Sequence, residues 1–258
     1  MGGRGSVVTA DVWHLPSRSV PGALVAVARD RGRLRALPGA RFVKVLGTGR
    51  AFDGRHADLT RWVVLASWTD EGAAHAARDS APMAGWARRS EESWHVTLRP
   101  LVSRGTWSRR SPFAVPGADQ GADQGADPGA DPGEPPGAAP QRAWDGPVAA
   151  VTRARLVPRR ALTFWRAVPA PAADLADRPG LCMALAMGEA PLGVQATFSV
   201  WRHADALRDY AYSRPAHRAV VKQTRELGWY AEELFARFAV LETRGTVDGR
   251  DPLAGRRR

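Results

Sequence analysis

The second half of the chain carries the clearest hydrophobic patterning. Val148 to Leu156 alternates in the two-residue rhythm of a half-buried strand. Leu181 to Met187 and Val194 to Trp201 read as two more strands, with Gly188, Pro191 and Gly193 marking the turn between them. Phe235 to Leu241 reads as a last strand. Residues 159 to 176 are helix-prone, with Phe164, Trp165 and Val168 on one side. Ala204 to Arg225 is helical and broken near Ser213-Arg214-Pro215, where Ser213 suits an N-cap and Pro215 a first turn. The order β-α-β-β-α-β is the split-βαβ, ferredoxin-like unit.

The first half repeats these signals. Pro38-Gly39 before the apolar run Phe42 to Leu46 matches Pro179-Gly180 before Leu181 to Met187, and Val7 falls against Val148 at the same spacing. The run Trp62 to Trp68 matches Gln195 to Trp201, and Ser80-Ala81-Pro82 matches Ser213-Arg214-Pro215. Leu101 and Arg104-Gly105-Thr106 match Leu241 and Arg244-Gly245-Thr246. An ordered series of this kind signals an internal repeat. The fold expected is α+β: a tandem duplication of ferredoxin-like βαββαβ units, packed sheet to sheet as a pseudo-dimeric α/β barrel with a cavity between sheets and helices. Between the halves runs GADQGADQGADPGADPGEPPGAAP, without a large apolar side chain to offset the entropy of ordering it. The expected organisation is a first half over 1–114, a disordered Gly/Ala/Asp/Pro linker over 115–143, and a second half over 144–254.

Composition narrows the class. At 258 residues and 44% hydrophobic the chain can bury a proper core. Its net charge of +11 ordinarily points to nucleic acid or a membrane surface. Lys44 and Lys222 are the only lysines, and the arginines are spread along the chain; only Arg256 to Arg258 form a run. No basic helix or stacking platform is visible, so nucleic acid is not an expected partner, whereas peripheral contact with an anionic membrane fits. Cys182 is the single cysteine, which rules out an intramolecular disulfide and cysteine-ligated clusters and favours a reducing compartment. No segment has the length of a membrane span and no signal peptide is evident. The expected location is cytoplasmic, against a membrane or free.

Familiar catalytic motifs are missing. Gly47-Thr48-Gly49 lacks the third glycine of a dinucleotide fingerprint and reads as a turn. The histidines have no metal-cluster spacing. His217 stands apart, because Tyr210, His217, Val220, Val221 and Thr224 share one helix face by their spacing, a face that should look at the sheet. Ala84 occupies the matching place in the first half, so the fold does not require imidazole there. Trp165, Trp229 and Tyr230 are unmatched between the halves and could line an apolar pocket, while Trp68 and Trp201 at equivalent strand ends read as core. Cys182 reads as a small buried residue on a strand. Glu232, Glu233, Asp205 and Asp209 read as solvated helix faces. Arg159, Arg160 and Arg166 could pair with carboxylates of a cofactor.

The blocks Arg41 to Gly49, Gly188 to Trp201 and Ser213 to Leu253 resemble the spheroidene monooxygenase family, the acyclic carotenoid 2-ketolases. The similarity covers nearly all of the chain outside 115–143. It implies an oxygen-dependent haem enzyme that oxidises the C-2 methylene of an acyclic carotenoid through two hydroxylations to a geminal diol, which loses water to give a ketone. Electrons would come from a ferredoxin-type donor. The second half also resembles dimeric α/β-barrel haem proteins, in which a helix after a Trp-ended strand offers an axial histidine. That implies His217 as iron ligand, with Arg160 and Trp165 as haem contacts and Tyr210, Trp229 and Tyr230 about the substrate. The duplication would satisfy pairing within one chain, giving a monomer or a homodimer. The competing readings are another haem enzyme of the same fold with a different apolar substrate, aldoxime-dehydratase-like chemistry among them, and a cofactor-free binding module.

Overall fold

The computed structural model describes residues 6–49, 57–115, 144–157, 159, 175, 178–189, 194–212 and 229–254. Its strands are β1 (Val7–His14), β2 (Ala40–Gly49), β3 (Ala57–Trp68), β4 (Glu92–Gly105), β5 (Val148–Leu156), β6 (Leu181–Gly188), β7 (Val194–Trp201) and β8 (Tyr230–Gly245). The helices described are α1 (Val20–Arg35), α2 (Glu71–Arg78), α3 (Ala81–Arg89) and α4 (Ala204–Tyr212), with a 3-10 turn at Ser17–Ser19 ahead of α1.

The eight strands close into one barrel in the order β1-β3-β2-β6-β7-β5-β8-β4, and every pairing is antiparallel. The first four strands lie as 4-1-3-2, and β5 to β8 lie in the same relative order. The halves therefore join edge to edge and do not face each other as separate layers. One seam is brief, Gly47 to Gly49 against Gly188 to Ala186. The other is long, β4 against β8 from Trp94–Gly245 to Gly105–Leu234.

Strand alternation sorts side chains to the two faces of the barrel wall. The inner set fills the barrel: Val8, Ala10 and Val12, Trp94, Val96 and Leu98, Met183, Leu185 and Met187, and Leu234, Ala236 and Phe238, all buried. The space expected between two sheets is thus a packed core. The outer face of the first half is sealed by α1 to α3 over Trp13, Val43, Val45, Trp62 and Val64, with Trp86 reaching in from α3. Trp86 stacks on Trp13 at 5.7 Å and lies 5.9 Å from Trp62. Trp68 and Trp201 are buried, as read from the sequence.

Three local readings are corrected. Gly47-Thr48-Gly49 ends β2 and makes its seam with β6, so it is strand and not turn. The last strand is far longer than its apolar run, because β8 pairs with both β5 and β4 and needs residues on both flanks of Phe235 to Leu241. Glu232 is on β8 and not on a solvated helix; its side chain is 6% exposed.

At both ends of the long seam the chain turns a corner after a left-handed glycine, Gly105 at φ +81° and Gly245 at φ +88°. A Cβ on Gly105 would lie 2.3 Å from the Glu233 carbonyl oxygen, and one on Gly245 would lie 2.0 Å from that of Ser93. Only glycine permits both the dihedral and the approach. Each corner then bends back on itself, through Trp107–Arg110 in one case and Val247–Arg250 in the other.

Candidate functional site

Three regions hold the chemistry that the described residues offer. The first is the outer face of the second sheet. Three of its strands carry short side chains there: Ala150, Thr152 and Ala154 on β5, Ala184 and Ala186 on β6, and Thr197 and Ser199 on β7, while β8 adds half-buried Phe235 and Arg237. Ala184, Ala186 and Thr197 are half-buried and Thr152 is exposed. The equivalent wall of the first sheet is covered by tryptophan and valine. A shelf of short side chains under partial cover accepts a flat apolar group by shape.

Tyr210 on α4 packs against this shelf, its ring 5.4 Å from that of Trp201, beside Val148, Ala150 and Leu207. Trp229 is buried at the entry to β8, where its carbonyl accepts from Val157 N–H at 2.8 Å, and half-buried Tyr230 pairs with Leu156. Val148 opposite Trp201 and Leu156 opposite Tyr230 mark the two ends of β5. Eight residue steps at ~3.3 Å separate those ends by about 26 Å, so Tyr210 does not sit beside Trp229 and Tyr230. His217, Arg160 and Trp165 lie outside the described residues. Arg159 is exposed. Cys182 is half-buried on β6, its thiol donating to the Gly180 carbonyl oxygen at 3.7 Å, and packs against the barrel core. Among the described residues no group of three His, Cys, Asp or Glu side chains is placed to hold a metal ion.

The second region was not legible as a site. Four charged residues converge on the first corner. Lys44 is on the inward register of β2, between Phe42 and Leu46, and is 7% exposed. Its ammonium donates to Glu189 Oε2 at 2.6 Å and to Ser108 Oγ at 2.8 Å. The Trp107 indole N–H donates to Glu189 Oε1. Lys44 Nζ and Arg153 Cζ lie 5.7 and 5.5 Å from the Trp107 ring, within cation–π range. Glu232 accepts from Arg153 at 2.5 Å, Thr106 Oγ1 at 3.0 Å and Arg109 N–H at 2.6 Å. Burial pushes the Glu232 carboxyl up, but those hydrogen bonds and the Arg153 charge outweigh it and hold it down at about 2. The four charges balance in sign and are tied as two ion pairs, Lys44 with Glu189 and Arg153 with Glu232, which is the pairing buried charges need. The sequence signal was a lysine in the inward register of an apolar strand.

A further polar network lies on the outer face of the first sheet. Arg78 donates to His95 Nε2 and, at 3.0 Å, to Thr97 Oγ1. Arginine only donates, so Nε2 accepts and the imidazole proton sits on Nδ1, which donates to Asp11 Oδ1 at 2.6 Å. Both imidazole nitrogens are thereby committed to protein partners.

An antiparallel eight-stranded barrel with helices outside and a partly covered shelf on one sheet defines an α/β-barrel protein of the aldoxime dehydratase fold. Two crystal structures of aldoxime dehydratase, one in complex with butyraldoxime, superpose with TM-scores of 0.61 and 0.59. Each match covers 94% of this chain, with 81 and 83% of those chains and 15 and 14% identity. No protein-family model matches the chain. The chain belongs to the spheroidene monooxygenase family and is a monooxygenase. It is 30% identical over 241 residues to spheroidene monooxygenase of Rhodobacter capsulatus, covering 92% of this chain and 91% of that one. The protein of the same name from Rubrivivax gelatinosus is 33% identical over 216 residues, 83% of this chain and 73% of its own. That from Cereibacter sphaeroides is 31% identical over 223 residues, and the match spans only 61% of its length.

Proposed function

We propose that this monooxygenase oxidises the C-2 position of acyclic, spheroidene-type carotenoids to a ketone, with haem as cofactor, O2 as oxidant and a reduced ferredoxin-type protein as electron donor. The observation that carries the reading is the family kinship, 30% identity spread over 92% of the chain and not confined to one block. The cofactor reading draws support from the shelf on the second sheet, where Ala154 stands at the register of Trp13, and Ala184 and Ala186 at those of Val43 and Val45. By shape and polarity that wall fits a flat macrocycle. His217 is proposed as the residue that would hold the haem iron, with Arg160 and Trp165 as contacts. Bound haem would supply the activation of O2.

The chain's own part is binding and orientation. Apolar walls hold a polyene by excluding water, not by directed bonds. An extended carotenoid is long enough to touch aromatic groups at both ends of β5, so Tyr210 at one end and Trp229 with Tyr230 at the other are proposed to fix its course. The halves over 1–114 and 144–254, joined by 115–143, are proposed as the duplicated units, with the protein a monomer or homodimer in the cytoplasm against the membrane.

The test is a spectrum and a product. Protein from haem-sufficient cells should show a Soret band that shifts on reduction under carbon monoxide, and His217→Ala should lose it. Colourless wild-type protein would remove the haem reading, and an unchanged band in His217→Ala would remove the ligand. Supplied with reductant, O2 and an acyclic carotenoid, the protein should give the 2-ketone. A haem-loaded protein that leaves such carotenoids untouched points to a different apolar substrate.

A further inference from the structure

The outward face of α1 has the wrong polarity for a solvated helix. Leu24 is 48% exposed and Val25 65% exposed, the two largest values among the exposed large hydrophobic residues described. Helical spacing puts Pro21, Leu24, Val25, Ala28, Gly32 and Arg35 in one outward stripe. All six are exposed. Ala23, Ala26, Val27, Asp30 and Leu34 make the opposite, buried face.

The charge on this helix is equally one-sided. Arg18, Arg29, Arg33 and Arg35 are exposed along its length and entry turn. Its one carboxylate, Asp30, is fully buried, bonded by Arg29 at 2.7 and 3.0 Å and 3.8 Å from Arg33. The solvent side of α1 therefore shows aliphatic side chains and cations and no acid. The exposed faces of α2 and α3 hold alanine, glycine and charged groups with no large apolar residue.

We infer that α1 is a membrane-docking helix that lies on an anionic bilayer, with Leu24 and Val25 in the interface and Arg18, Arg29, Arg33 and Arg35 among the lipid phosphates. Aliphatic residues rimmed by arginine are the pattern of an in-plane interfacial helix. A net charge of +11 supplies the long-range attraction. The exposed stripe runs along α1 from Pro21 to Arg35, so docking lays the helix parallel to the surface. This deepens the carotenoid reading, since it names where the chain meets the phase that dissolves such a substrate, but it stands on α1 alone.

Binding to carotenoid-free vesicles tests it without turnover. Sedimentation should show binding to phosphatidylcholine vesicles doped with phosphatidylglycerol and little to phosphatidylcholine alone. Leu24→Ser with Val25→Ser should weaken that binding about tenfold or more. Arg18→Gln with Arg35→Gln should weaken it more than tenfold, at roughly fivefold per arginine, and added salt should mimic that loss. Leu241→Ser, at another exposed apolar site, should leave vesicle binding unchanged, and circular dichroism should show each variant folded under the assay conditions. Wild-type binding by the Leu24/Val25 variant overturns the proposal. So does loss of binding only when Arg256 to Arg258 are deleted, or retention of duplex DNA but not vesicles. Vesicle binding through α1 by a protein that never oxidises carotenoid leaves the docking intact and removes the function.

Discussion

The two corners of the long seam share a backbone and differ in content. Each begins at a left-handed glycine, and each binds a glutamate from the neighbouring strand through a threonine hydroxyl and backbone N–H groups. Glu232 takes Thr106 and Arg109 N–H. Glu92 takes Thr246 and the N–H groups of Asp248 and Gly249. Each ends in proline and an apolar residue, Pro112-Phe113 or Pro252-Leu253, that packs on the barrel core. The fillings diverge. Trp107 and Phe113 are fully buried, with Phe113 5.1 Å from Phe238 and 6.1 Å from Phe42, and a charged quartet surrounds Trp107. Val247 and Leu253 are only half-buried, and the ion pair there, Arg61 with Asp248, sits at the surface with Asp248 69% exposed. One backbone device thus makes a sealed end and a looser one, and side-chain volume and buried charge decide which is which.

The largest expected contrast comes from truncating the two plugs. Trp107→Ala removes a large buried ring, its bond to Glu189 and two cation contacts, and should cost about 3–5 kcal/mol. Val247→Ala at the equivalent position should cost about 1 kcal/mol, since the side chain is half-exposed and smaller. Urea midpoints of the two variants, at unchanged m-value, check the difference. Equal losses would mean that the looser end carries as much of the core as the sealed one.

The two glutamates sharpen the comparison through pH. Both are held below the usual carboxylate range: burial pushes each up, and hydrogen bonds with nearby positive charge more than offset it. For Glu232 the folded value is about 2. A depressed folded pKa gives stability that is complete above the unfolded value, near 4.5, and is lost as pH falls toward about 2. Shifting by that interval corresponds to about 3 kcal/mol. Glu232→Gln should therefore lower stability at neutral pH by about 3 kcal/mol and flatten the acid limb of the stability profile over that window. Glu92→Gln should do less, since the basic residue beside it is a histidine, His14 at 3.9 Å, and not a buried arginine. A Glu232→Gln profile as steep in acid as the wild type would show that other carboxylates drive acid unfolding.

The strand pattern of the second half was legible because period-two alternation survives wherever one strand face is buried. Val148–Leu156 and Val194–Trp201 end where that alternation does. The edge-to-edge closure was not legible, because pairing across β2–β6 and β4–β8 is made by backbone groups that leave no side-chain signature. Glu232 was misread for a related reason: beside Glu233 it looks like a charged surface run, yet a strand sends the two to opposite faces, Glu233 exposed and Glu232 inward to Arg153. Of the proposed site, Tyr210 is placed on the sheet side of its helix as its spacing implied, while the separation of Trp229 and Tyr230 from it depends on the strand between them.

The smallest expected effect bears on why the sealed end contains charge at all. Leu185 stands in the second half where Lys44 stands in the first, and it packs in the same barrel core as a plain apolar residue. The backbone therefore tolerates leucine at such a position. Lys44→Leu alone should be costly, about 3 kcal/mol, because Glu189 keeps its charge and, among the described residues, has the Trp107 N–H alone against its carboxylate. Lys44→Leu with Glu189→Leu removes both charges and loses one hydrogen bond each from Ser108 and Trp107. The avoided desolvation offsets much of that loss, so the double variant should fall within about 1 kcal/mol of the wild type. A double-mutant cycle by urea denaturation reads the coupling directly. If the double variant matches the wild type in stability but broadens the Trp107 indole N–H resonance, the quartet fixes one orientation of the plug and adds little net stability. If the double variant is as unstable as Lys44→Leu, the pair is a net stabiliser of the sealed end, and the contrast between the corners is one of energy and not of order.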